Sequence, residues 1–106
     1  MNEAIKSSNE KIPNEREVLN QIESVVEGPF DFVEKFEDEE GLYKLDVYTK
    51  DEAGDTVLHT YMRAGNYGKG PRVETAIDVF FYSGDIPVGG HLVMKYENGE
   101  WVKETR

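Results

Sequence analysis

The fold is decided by the stretch NEREVLNQIESVVEGP, residues 14–29, and by the change of pattern that follows it. Asn14 can cap a helix, and Glu17, three positions later, can complete a capping box by reaching back to the N–H of the cap residue. An apolar stripe with the 3.6-residue period of a helix runs through Val18, Leu19, Ile22, Val25 and Val26. Gly28-Pro29 ends it, because glycine supplies the C-terminal turn and proline prevents continuation. The stretch therefore predicts one amphipathic helix.

After Pro29 the apolar residues recur at every second position, which is the period of a β-strand. Tyr43, Leu45 and Val47 alternate with polar residues in the clearest example, and Asn98-Gly99 is a typical two-residue hairpin turn. We predict an α+β fold in which one N-terminal helix packs on a curled antiparallel sheet of five to six strands. The polar residues 1–12 are expected to form a flexible arm, and residues 13–106 a single domain.

The sequence contains no cysteine, which excludes disulfides, thiolate catalysis and thiolate metal sites and favours a reducing compartment. No apolar run approaches the length of a membrane span, and the first residues lack the apolar core of a signal peptide. We therefore expect a cytoplasmic protein that does not contact membranes.

The net charge of −10 is confined to one half of the chain. Residues 1–56 hold 16 acidic against 6 basic side chains, whereas residues 57–106 hold 6 of each. Nucleic acid is disfavoured as a partner, since phosphate contacts need clustered Lys and Arg. Two readings remain open: the acidity serves solubility alone, or it attracts a basic protein partner.

A helix with one apolar stripe can cover only one face of the predicted sheet. Tyr48, Phe80 and Tyr82, and with them His59 and Tyr61, are candidates for the other face. An exposed aromatic patch on a sheet usually marks an interface or a pocket.

The order of elements resembles the cystatin-like superfold, in which a curled antiparallel sheet grips one N-terminal helix. The closing hairpin Tyr96-Glu97-Asn98-Gly99-Glu100-Trp101 is similar to the last strands of nuclear-transport-factor-like proteins. The chain departs from both: it has room for only one good helix, and it lacks the Gln-Val-x-Val-Gly loop of protease-inhibiting cystatins. The resemblance covers residues 14–104 and implies a fold, with no functional residue carried over.

The segment Ala64–Arg72 is rich in glycine and carries Asn66, Tyr67, Lys69 and Arg72. It does not match a phosphate-binding loop, since Gly70 stands where a Ser or Thr is needed and a strand follows. It is either an ordinary hairpin loop or a basic, aromatic contact for a partner.

The sequence offers one candidate group for catalysis. His59 and Tyr61 share parity in one strand, and with Asp78 they could supply a base, a hydroxyl and an orienting carboxylate. The acidic turns at 37–40 and 51–55 do not match a calcium loop, so no metal or other cofactor is expected.

These observations favour a non-enzymatic binding protein that uses the uncovered sheet face and the Ala64–Arg72 loop. One alternative is a small-ligand-binding or enzymatic domain with a pocket between sheet and helix. Another is a homodimer of structural role, formed sheet to sheet.

Overall fold

A computed structural model describes residues 12–26, 29–63, 65–66, 71–72 and 74–104 of the chain. In these ranges it contains one α-helix, α1 (Glu15–Glu23), and eight strands. The strands are β1 (Phe32–Asp38), β2 (Gly41–Lys50), β3 (Thr56–Met62), β4 (Gly65–Asn66), β5 (Pro71–Arg72), β6 (Thr75–Ser83), β7 (Ile86–Glu97) and β8 (Glu100–Lys103). The predicted α+β class is confirmed.

Six strands form one antiparallel sheet in the order β1-β2-β3-β6-β7-β8, and β4 and β5 pair separately. Each strand of the main sheet thus lies beside the one nearest to it in the chain, apart from the short β4–β5 pair inserted between β3 and β6. This is a meander, in which successive strands follow one another from one edge of the sheet to the other.

The helix begins as its sequence predicts. The side chain of Asn14 accepts a hydrogen bond from the N–H of Glu17 at 2.9 Å, and the Glu17 carboxylate accepts one from the Asn14 N–H at 3.2 Å. The helix ends earlier than expected, at Glu23, and the chain turns at Ser24, whose hydroxyl donates to the Gln21 carbonyl. Val25 is consequently exposed, whereas Val26 still packs against the core.

The core lies between α1 and one face of the sheet, which we call the inner face. Val18 and Ile22 of the helix are completely buried in a cluster with side chains of four strands. The buried strand residues of this cluster are Leu42, Leu45, Val47, Tyr61, Ile77 and Met94. The Lys35 ammonium of β1 pairs with the Glu15 carboxylate at 3.1 Å, at the start of the helix.

Three irregularities shift the pleat. Tyr43, Val88 and Val93 each lack a partner in an otherwise regular ladder, so each acts as a β-bulge. The bulge at Val93 sends Met94 to the inner face and Leu92 to the opposite one. A strict alternation along Leu92, Met94 and Tyr96 would place all three side chains on the same face.

Of the helices in the described ranges, none is long and apolar enough to cross a membrane.

Candidate functional site

The face of the sheet opposite α1, here called the outer face, carries a row of apolar side chains across four strands. Phe32, Tyr48, Leu58 and Phe80 are successive cross-strand partners on β1, β2, β3 and β6. Phe32 is 55% exposed and Phe80 is 37% exposed, with Tyr48 and Leu58 half-buried between them. Tyr82, also half-buried, is on the same face two positions beyond Phe80. We call these five residues the aromatic row.

The row continues onto a glycine. Gly90 of β7 is the cross-strand partner of Phe80, and a Cβ at position 90 would stand 2.6 Å from the Phe80 ring. The same Cβ would lie 2.7 Å from the Val79 carbonyl oxygen. The ring of Phe80 therefore rests on the backbone of Gly90, and glycine is required there because any larger residue would displace the ring.

A polar cluster lies beside the aromatic row. Asp46, only 3% exposed, accepts hydrogen bonds at 2.6 Å from the Thr60 hydroxyl and from the Lys44 ammonium. Asp46 is thereby satisfied although it is buried, as a buried carboxylate must be. The cluster fixes the middle of the outer face with directional bonds in place of apolar packing.

Charged side chains of both signs act on the Tyr48 hydroxyl. Burial raises its pKa, and the carboxylates of Asp46 and Glu34 raise it further because they oppose a second negative charge, whereas the Lys44 ammonium lowers it. Glu34 is exposed and is the cross-strand partner of Asp46.

The sheet separates the three residues considered for catalysis. His59 and Tyr61 lie on the inner face, paired with Val79 and Ile77, whereas Asp78 is the partner of Thr60 and lies on the outer face. The expected shared cavity is therefore not formed, because adjacent residues of a strand point to opposite faces. His59 and Tyr61 are also buried residues of the inner face and do not belong to the aromatic row.

His59 is a buried polar residue. It is 6% exposed, and its Nδ1 has no hydrogen-bond partner in the described part of the chain. Burial lowers its pKa, and His91 on the same face lowers it further, so the neutral imidazole is favoured.

The structure brings only some of the expected binding residues together. Tyr48, Phe80 and Tyr82 share the outer face, as their spacing predicts. Asn66 and Arg72 fall in β4 and β5, whose backbones pair, but their side chains lie outside what the structure describes. Tyr67 and Lys69 lie wholly outside the described residues.

Phe32, Leu58 and Glu34 were missed as members of the site. The parity of Phe32 and Phe36 marks a face of β1, and that face proves to be the outer one, since Val33 is the residue that packs against the core. The missing information was the register between β1 and β2, which includes the bulge at Tyr43.

No group of three or more His, Asp or Glu side chains in the described ranges is arranged to hold a metal ion. Compared with models of known protein families, with curated proteins and with solved structures, the chain matches none.

Proposed function

We propose that this chain is a non-enzymatic binding domain that holds a protein partner on its outer face. The observation that carries the proposal is the aromatic row, in which Phe32 and Phe80 stand exposed on a sheet face that no described helix covers. Aromatic side chains exposed together are typical of protein interfaces, where their burial supplies most of the binding free energy.

The charge distribution supports a basic partner. The acidic excess belongs to residues 1–56, which include the helix, β1 and β2, and two of the aromatic row's residues come from those strands. An acidic surface of this kind steers a basic protein towards it and repels nucleic acid.

The proposal also includes a fold architecture and a cellular location. A helix against a curled antiparallel sheet is the arrangement of the cystatin-like superfold, and we assign the chain to that architecture. A cysteine-free sequence suits a reducing compartment, and we place the protein in the cytoplasm.

The test is site-specific photocrosslinking of the full chain in extracts of the cells that make it. A benzophenone side chain at position 80 or 82 should give the same discrete adduct, whereas one at position 23, on the exposed side of α1, should not. Excess unlabelled protein should suppress the adduct, and a Phe80→Ser competitor should suppress it less. A competitor carrying Tyr67→Ala and Lys69→Ala tests whether the loop takes part.

Equal labelling from position 23, or no adduct from positions 80 and 82, would contradict the proposal. An adduct with twice the mass of the chain would replace it with the sheet-to-sheet homodimer, which light scattering at two concentrations would also reveal. If the competitor carrying Tyr67→Ala and Lys69→Ala suppresses the adduct as well as the unaltered protein does, the loop takes no part in binding. The proposed binding site is then the sheet face alone.

A further inference from the structure

Two positions along the β1–β2 pair of the outer face are built alike. At each, a phenylalanine of β1 lies opposite a residue of β2. A carboxylate comes from the residue two positions further along one of the two strands, on the same face. The first position combines Phe36, Lys44 and Asp46, and the second combines Phe32, Tyr48 and Glu34. Glu34 and Asp46 are themselves cross-strand partners, so the two positions adjoin.

The first position holds a cation from the chain itself. The Lys44 ammonium lies 5.0 Å from the centroid of the Phe36 ring and 2.6 Å from Oδ2 of Asp46. A ring face and a carboxylate thus bind one positive charge between them, in the geometry of a cation–π contact reinforced by an ion pair.

The second position has the ring and the carboxylate but no cation. In the described ranges no ammonium or guanidinium lies over Phe32, and Glu34 has no ion-pair partner. The Phe32 and Tyr48 rings are 5.7 Å apart and tilted by 45°, so they form an open corner. Phe32 is the most exposed aromatic ring of the outer face, at 55%.

We propose that the corner formed by Phe32, Tyr48 and Glu34 binds the guanidinium of an arginine side chain presented by the protein partner. This inference rests on the proposed function and specifies its chemistry. A planar guanidinium stacks on an aromatic ring while its N–H groups donate to a carboxylate, which a compact ammonium does less well. The surplus of negative charge in residues 1–56 matches such a ligand in sign.

The experiment uses the ¹⁵N-labelled full chain and a short capped peptide with two arginines separated by glycines. Titration should move the amide resonances of residues 32, 34 and 48 along one saturable curve. A peptide with citrulline in place of arginine, which keeps the shape and loses the charge, should not saturate. Phe32→Leu and Glu34→Gln should each weaken binding about threefold to tenfold, the range expected for loss of one cation–π or charge contact.

Two matched variants separate this site from its surroundings. Glu52→Gln removes an exposed carboxylate from the turn between β2 and β3, and Phe81→Leu removes a 38% exposed ring that pairs with Val57 and lies outside the aromatic row. Both should bind the arginine peptide as the unaltered chain does. Thermal unfolding of each variant verifies its fold, and Glu34→Gln tests the site if Phe32→Leu does not fold.

The inference is overturned if Glu34→Gln and Glu52→Gln weaken binding equally, because the peptide would then be responding to net charge. It is also overturned if the citrulline peptide binds as tightly as the arginine peptide. In either case the proposed function stands if crosslinking from positions 80 and 82 still captures one partner. Both fail only if that adduct is absent as well.

Discussion

The two faces of the same sheet are stabilised in different ways. On the inner face, Ile22 of the helix and strand residues such as Leu45 and Ile77 are completely buried and in mutual contact. On the outer face the rings stay partly exposed, and the buried centre is the hydrogen-bonded group around Asp46. Burial of apolar side chains on the inner face stabilises the fold, whereas the outer face leaves apolar surface exposed.

The largest expected loss of stability comes from a substitution in the buried core of the inner face. Ile22→Ala removes buried methyl groups and leaves a cavity between helix and sheet, at a cost of about 2–5 kcal/mol in the free energy of unfolding. Phe32→Ala, on the exposed row, should cost only about 1 kcal/mol, since half of that ring is already in water. Urea unfolding of both variants measures the difference. Equal losses would show that the outer face is as much a core as the inner one.

An intermediate effect is expected where the outer face is close-packed. Gly90→Ala would place a methyl group against the Phe80 ring and the Val79 carbonyl oxygen, costing about 1–3 kcal/mol. Gly89→Ala is the matched control, because nothing lies within 4 Å of a Cβ at that neighbouring position. Thermal unfolding compares them. If the two glycines tolerate alanine equally, the ring of Phe80 does not rest on Gly90.

The smallest effect concerns pH and the one buried histidine of the inner face. Because burial holds the folded-state pKa of His59 below its ordinary value of 6.5, the unfolded chain takes up a proton first as the pH falls. This group therefore leaves stability unchanged above about pH 6.5 and lowers it as the pH drops from 6.5 towards the folded-state pKa. His59→Gln should remove that loss, measured as urea midpoints between about pH 8 and 5.

His91→Gln is the control for this titration, since His91 is exposed and should leave most of the pH dependence in place. The Asp38 carboxylate does not contribute to the pH dependence in this range. The hydrogen bond from Arg63 holds the pKa of Asp38 below its usual 3.8, so its contribution is lost only at lower pH. An unchanged slope in His59→Gln would mean that another group carries the acid sensitivity.

Local signals predicted the elements well, because each depends on residues close in sequence. The capping box at Asn14 and Glu17 and the period-two strands needed nothing beyond their own segments. The end of the helix was misplaced: the regular helix ends at Glu23, and the N–H groups of Val25 and Val26 both donate to the Ile22 carbonyl in the turn that follows.

The site was only partly predictable, because membership of a face depends on register. Tyr48, Phe80 and Tyr82 were placed together by parity, which holds along uninterrupted strands. Bulges such as the one at Val93 reverse parity without a sequence signal of their own. The grouping of His59 with Asp78 is wrong for a different reason. His59 pairs with Val79, the chain neighbour of Asp78, and neighbouring residues of a strand lie on opposite faces.

The meander order also determines how the chain can find its fold. Every strand of the main sheet pairs with the nearest main-sheet strands in sequence, so most closures join segments separated by a short turn. Short closures cost little entropy and make for fast folding. The one longer closure joins β3 to β6 across residues 63–74. As the chain leaves the ribosome from its N-terminal end, each strand can therefore add to the growing edge as it emerges, without waiting for a distant partner.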